Sequence, residues 1–522
     1  ANLTLTPDHT ARAVTAGAPA AVTTACALHL KRSQDVAQQC CRVLAHCAQG
    51  ATPALKARLV ALGGAEAAAA ALAAHPQRPG VAEAAAALCS ALAQGGDAAA
   101  ALMPARTQLV AALHANRAHA GAAAACCKAL GALAGGGATA ARAVVAAGGC
   151  DALLGAARAH PRAPRVLASA LGALAALGAA EAEEGRKLCV NGGPLLAVGA
   201  ATAFPASEPV AAAACALIAA CVTAAPELCG RVASAGTPEA AVAALKAHGA
   251  APAVVGAAAD ALGALARCGE ACCLRCLSAG ALDLLTQALW AASEARAPQV
   301  AAVCRAIAAL APHPGAEAKV VAKRGPLYAL VAALLLAPQD ALVQSAGLEA
   351  LSVCARTPGA SLVAAQAGAV EAVVAAMRLH GSCEDVQRHG SAALWRLAFE
   401  TDNVVQAWER TAMTPGGLAM LWRSFRTHSL ALSPAEHVSG AAAAAQRGAG
   451  AVARAANANV DARMLQAALQ GTLADFVAAL LAHADATLRE GSSRLRLHMA
   501  SAVTAATTGL VPAAAGRSLD NK

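Results

Sequence analysis

The feature that most constrains this chain is a long internal period. A hydrophobic residue flanked by small ones recurs at Val43, Leu88, Leu130, Leu171, Leu217, Leu262, Ile307, Leu351 and Leu394, with intervals of 41 to 46 residues. A period of this length marks stacked supersecondary units, each burying its apolar face against the next. It therefore outweighs the three or four separate domains that a length of 522 residues would suggest. A glycine track runs beside it at Gly149, Gly193, Gly236, Gly280, Gly325 and Gly368, with Gly64 two repeats earlier, while the unit near residue 106 lacks its glycine.

Residues 359–398 give one unit complete. A short apolar piece ends at Gly368. Val370, Val373, Val374 and Met377 then recur at i, i+3, i+4 and i+7, one face of an amphipathic helix running to His380. A polar break over Gly381–Glu384 precedes a third helix with Val386, Ala393, Leu394 and Leu397 on its apolar side. Breaks with the same turn chemistry lie at His75-Pro76, His160-Pro161, Phe204-Pro205, Ala297-Pro298 and Ala337-Pro338. Hydrophobic residues make up 58% of the chain but aromatics only 2%, so the core consists of Ala, Leu, Val and Cys. Alanine is the strongest helix former, and the 23 prolines fall mostly between the expected helices. The fold class is all-α.

The closing pattern Ala393-Leu394, two residues, Leu397-Ala398, together with the glycine between the first two helices, resembles an armadillo repeat over roughly residues 25–510. The resemblance implies a right-handed α-solenoid of about ten three-helix repeats, with a groove lined by the third helices and protein partners held in it. On this reading residues 1–22 are an N-terminal extension and 23–400 the array of about nine repeats. Residues 401–511 are divergent C-terminal repeats or a cap, and 512–522 a disordered tail.

Several features could carry other chemistry. Histidines close the second helix at His29, His75, His114, His160, His248 and His380. Being about one repeat apart they would stand roughly 10 Å from one another, too far to share an ion. Attraction to the negative end of the helix dipole explains them. Cys268, Cys272, Cys273 and Cys276 have zinc-like spacing, but one helix supplies all four where a structural zinc site joins two separated pairs, so they read as small core residues. The glycines at 135–137 and Gly448-Ala449-Gly450 follow no expected strand and do not read as phosphate loops. No GxSxG, HExxH or other catalytic constellation is present in the sequence, so the expectation is a non-enzymatic chain with no cofactor and no metal.

A net charge of +9, from 40 basic and 31 acidic residues, is spread without blocks. The apolar run between Pro326 and Pro338 has eleven residues against about 20 needed to span a bilayer, so no membrane insertion is expected. Nineteen cysteines without framework spacing suit a reducing, intracellular compartment.

In the nuclear-import receptors that share this resemblance, tryptophan and asparagine columns on the third helices grip an extended basic peptide. Here the column two residues after the closing hydrophobic position reads Ala45, Ser90, Ala132, Ala173, Ala219, Ala264, Ala309, Val353 and Arg396. The column two before it reads Cys41, Ala86, Lys128, Ser169, Cys215, Asp260, Arg305, Glu349 and Ala392. Neither holds the family's rings or amides, which argues against import-receptor activity. An alanine-lined trough instead admits a helix or coiled coil at close range. Candidate contacts are its charges, Lys128, Asp260, Arg305 and Glu349, and the aromatic and arginine cluster Arg388, Trp395, Arg396, Trp408, Trp422, Arg423 and Arg426. The expectation is a protein-interaction scaffold, a structural subunit of a large assembly such as a cytoskeletal, microtubule-associated or ciliary one. The alternatives are a transport adaptor with an atypical groove and a solenoid RNA binder. The mixed signs of the groove charges argue against nucleic acid.

Overall fold

The computed structural model describes residues 12–94, 98–292 and 296–399. Among them every regular element is a helix. They divide into two compact units meeting between Ala288 and Leu289.

In the first unit the helices come in threes. The repeat Ala138–Ala146, Gly149–Ala159 and Pro164–Ala180 is representative: a short first helix, a middle helix and a longer closing helix. Proline opens the closing helices at Pro79, Pro164 and Pro252, where its missing N–H would have had no intrahelical partner. Closing helices pack in series: Gln34–Ala48 on Pro79–Ala93, then Ala120–Ala134, Pro164–Ala180, Glu208–Ala224 and Pro252–Cys268. Their seam is Leu88, Leu130, Leu171, Leu217 and Leu262, all fully buried. Alanine and glycine set the helix spacing. A Cβ on Gly131 would lie 3.1 Å from that of Ala173 on the next helix, so backbones approach where bulkier residues would hold them apart.

The first repeat corrects the register read from sequence. Leu44, not Val43, is the fully buried residue there, and Val43 is only half-buried. Adjacent residues on a helix lie about 100° apart, and the period alone does not choose between two neighbouring apolar side chains. The residues two before and two after the seam therefore become Arg42 and His46 rather than Cys41 and Ala45.

The glycine track also moves. Left-handed backbone recurs at Gly63, Gly148, Gly192, Gly236 and Gly280, just before each middle helix, and turns the chain from first helix to middle helix by 57° or 72° in the two pairs Pro53–Ala61/Gly64–Ala74 and Ala138–Ala146/Gly149–Ala159. Where two glycines stand together, the first takes the positive φ. The second, Gly64, Gly149 or Gly193, lies so close to the first helix that a Cβ would sit 2.8 Å from the carbonyl oxygen of Leu59, Val144 or Leu188. Near residue 106 a 3-10 turn, Met103–Ala105, runs directly into the middle helix Arg106–Ala115 and no glycine is used.

The second unit contains the closing helices Ala297–Leu310, Ala341–Cys354 and Glu384–Phe399, again packed in series, with Ile307, Leu351 and Leu394 fully buried. Gly368 has the expected left-handed φ, but Gly325 does not: the residue at φ 63° is Arg324. A side chain in this region costs about 1–2 kcal/mol that glycine avoids. Arg324→Gly is therefore expected to raise the unfolding free energy by about 1 kcal/mol, read as a higher urea midpoint with unchanged slope.

The histidines do more than face a dipole. His75 Nε2 donates to Leu30 O at 2.6 Å, His160 to Arg117 O at 2.7 Å and His248 to Pro205 O at 2.9 Å, and in the second unit His380 reaches Pro338 O at 2.7 Å. A carbonyl only accepts, so Nε2 carries the hydrogen in each. The partner in every case belongs to the turn of the preceding repeat, 42 to 45 residues earlier. The ring thus ties neighbouring repeats together. Asn116 takes the same place in its repeat, with Nδ2 donating to Pro76 O at 2.7 Å. His29 and His114 remain in the last turns of their helices, as the dipole reading expects. In the second unit the buried Gln344 bonds Leu334 O and Ala337 O, and Gln387 bonds Met377 O and His380 O, closing the carbonyl ends of the middle helices.

Candidate protein-interaction face

A closing helix buries one side against its own middle helix and two flanks against neighbouring closing helices, which leaves a single stripe outward. The exposed or half-buried positions run at about nine, five and two before the seam residue and two after it, the period of one helix face. In the first unit this stripe carries Arg42, Glu83, Lys128 and Asp260, all exposed, with Ser169, Ala132 and Ala219 half-buried between them. Ala86, Ala173, Cys215 and Ala264, in the same columns, are buried instead, Ala173 against Gly131 of the preceding closing helix. The trough is therefore shallower in alanine than the columns suggest, and its charges stand out from a closely packed floor. Gly121 lies beside Glu83 of the preceding repeat, whose carboxylate Oε2 would be 2.9 Å from a Cβ at that position.

In the second unit Arg305 and Arg388 are exposed, and Glu349 and Arg396 half-buried, on three successive closing helices. Sequence reading missed His389, half-buried beside them. Burial holds its imidazole below the ordinary histidine range, Glu349 opposes that effect, and Arg388 reinforces it. Arg388 pairs with Asp385 on its own helix at 2.5 Å. Trp395 lies on the same closing helix. Trp408, Trp422, Arg423 and Arg426 lie outside the described residues, as do Gly448-Ala449-Gly450. Arg42, Glu83 and His46 were not reached from sequence because each depends on the corrected register or on extending the stripe by another helical turn.

Among the described residues no group of three or more His, Cys, Asp or Glu side chains is placed to hold a metal ion. The four cysteines from 268 to 276 part company. Cys273 and Cys276 sit in the core, where burial pushes both thiols up to about 12, while Cys268 and Cys272 lie against Cys229 of the preceding first helix. The glycines at 135–137 form the turn into the first helix Ala138–Ala146, with Gly137 at φ 114°. No single helix among the described residues is long and apolar enough to cross a membrane.

No protein-family model matches the sequence, and no curated protein matches it. Among solved structures, an engineered protein is similar at 23% identity with a TM-score of 0.59, covering 80% of this chain and 95% of its own. A designed armadillo repeat protein in complex with the peptide (KR)4 matches at 25% identity over 46% of this chain and 96% of its own, with a TM-score of 0.39. A structure from work on a phosphorylation switch in the interaction between cadherin and beta-catenin matches at 16% identity over 76% of this chain and 85% of its own, with a TM-score of 0.42. The three-helix repeats, the glycine turn and the serial packing of closing helices make this chain an armadillo-like α-solenoid.

Proposed function

We propose that the chain is a non-enzymatic scaffold that holds a protein partner along the outward stripe of its closing helices. The observation that supports this is the stripe itself. In the first unit it carries charges of both signs, Arg42, Glu83, Lys128 and Asp260, over a floor of alanine, glycine and cysteine. Small floor residues let a second backbone approach, and a helix or coiled coil lying along the stripe meets charged groups at repeat spacing. The missing tryptophan and asparagine columns favour a structural subunit of a large assembly, cytoskeletal or ciliary by analogy, over a carrier of extended basic peptides. An intracellular, reducing location fits nineteen cysteines that are all unpaired.

The test is a pull-down with the full chain, washed at low and high salt, comparing wild type with Lys128→Glu/Asp260→Lys and with the middle-helix control Lys246→Glu. The expected result is a small set of proteins retained by wild type and control through high salt and reduced about tenfold or more by the stripe variant, as loss of two interface charge pairs would produce. Equal retention by all three variants contradicts the proposed face. Recovery of RNA or import factors that leave at moderate salt contradicts the scaffold reading.

A further inference from the structure

The thiols at the junction of two repeats in the first unit are arranged for chemistry that the scaffold role does not require. Cys229 opens the first helix Cys229–Ser234, Cys268 ends the closing helix Pro252–Cys268, and Cys272 lies in the first turn of the next first helix, Glu270–Ser278. The fold brings the two first helices side by side. The sulfurs of Cys229 and Cys272 stand 2.9 Å apart, inside the distance two non-bonded sulfurs normally keep. Cys268, four residues before Cys272 in the chain, has its sulfur 3.9 Å from the Val222 carbonyl oxygen and lies near enough to the Cys229 thiol for each to influence the other's ionisation. Access separates the three. Of the nineteen cysteines, Cys268 and Cys383 are partly exposed and the other seventeen are buried, Cys229 and Cys272 among them at 4% and 5%.

We propose that Cys229, Cys268 and Cys272 form an oxidation site in which a peroxide oxidises Cys268 and Cys229 resolves it to a disulfide that locks the two repeats together. In the first step the Cys268 thiolate attacks a peroxide oxygen. An S–O bond forms, the O–O bond breaks, the sulfur is oxidised by two electrons, and the leaving hydroxide or alkoxide takes a proton from solvent. In the second step the Cys229 sulfur attacks the sulfenic acid: the S–S bond forms, the S–O bond breaks, and water departs with the Cys229 proton. Cys272 then attacks the Cys229 sulfur, releasing Cys268 with the Cys272 proton. This exchange leaves the net oxidation unchanged and moves the bond to the buried pair Cys229–Cys272.

The electrostatics agree with these roles. The Cys229 S–H donates to Cys268, and with Arg267 beside it this holds the Cys268 thiol below its ordinary range in spite of burial and Glu227. The Cys229 thiol is pushed strongly up by the same contact, by burial and by Cys272, and so stays protonated until it reacts. Cys383, the other partly exposed cysteine, lies in the second unit in the turn just before Glu384–Phe399.

The experiment treats the reduced, purified full chain with limiting hydrogen peroxide, quenches by alkylation and maps modified cysteines by tandem mass spectrometry. The expected result is loss of two thiols per peroxide, with the first cross-links joining Cys229 to Cys268 or Cys272 while Cys383 remains alkylated. Cys268→Ser, a half-exposed position, should slow oxidation of Cys229 about tenfold or more, since the two remaining thiols are buried away from the peroxide. Cys272→Ser should still give the Cys229–Cys268 bond. The proposal is overturned if Cys383 is oxidised as fast as Cys268 or if cross-links scatter over the chain. It is equally overturned if Cys268 stops as a sulfenic acid trapped by dimedone while Cys229 stays reduced. The wild-type map decides this without any variant.

Discussion

Leu217→Ala is expected to lower the unfolding free energy of the first unit by about 2–5 kcal/mol, among the larger effects a single substitution can have here. Leu217 is fully buried on Glu208–Ala224, which packs against Pro164–Ala180 on one side and Pro252–Cys268 on the other. Removing its side chain leaves a cavity at two repeat interfaces at once. Leu171 and Leu262, the seam residues of the two flanking helices, are themselves fully buried in their own repeats, so the site can collapse only in part. In a solenoid, stability is close to a sum of repeat terms and nearest-neighbour interface terms, so the loss should propagate as early opening around this repeat. Urea denaturation gives the total. Hydrogen exchange should show Glu208–Ala224 and its two neighbours losing protection before Gln34–Ala48 does. Uniform loss along the unit would indicate that it opens as a single cooperative block.

The second large effect has an unusual sign. Glycine inside a helix is normally worse than alanine by about 0.5–1 kcal/mol, so helix-interior Gly→Ala changes tend to stabilise. Gly185, inside Ala182–Val190, should do the reverse. A Cβ there would meet the Cβ of Ala224 at 2.4 Å and the Gly178 carbonyl oxygen at 2.8 Å. Neither obstacle can rotate away, so the first helix must back out from between two closing helices. Gly185→Ala is expected to destabilise by about 1–3 kcal/mol. Gly199, inside Gly193–Ala203, has nothing within 4 Å of its would-be Cβ, and Gly199→Ala is expected to stabilise by about 0.5–1 kcal/mol. Opposite signs for the two substitutions, measured by thermal and urea unfolding, would show that glycine is placed here for close approach. Equal signs would show that propensity alone decides.

The repeat was legible because a long period of buried leucines survives small errors in phase. The phase itself was less so. Val43 and Leu44 are both apolar, and only packing shows that Leu44 enters the seam. Paired glycines at 148–149 and 192–193 marked the turn but not which one bends, and Arg324 occupies the left-handed position with no sequence signal at all. The histidines were visible as a series near helix ends. Their hydrogen bonds to the preceding repeat were not, since those depend on how one repeat sits on the last. Cys229 escaped notice for the same reason: it lies 43 residues from Cys272 in sequence and 2.9 Å from it in space. Of the candidate site, Lys128, Asp260 and Arg305 emerge on the exposed stripe as the helical period requires and Arg388 is exposed one position beside it, while the buried alanines of the same columns show that the packed array covers part of what a single helix would expose.

A partner held along the closing-helix stripe should leave a footprint there. Hydrogen exchange of the full chain, alone and in complex with a protein retained through high salt, reads that footprint. Slowed exchange is expected on closing helices such as Ala120–Ala134 and Pro252–Cys268, with middle helices such as Thr237–Ala247 unchanged. Protection of the middle helices while the closing helices exchange as before would contradict it.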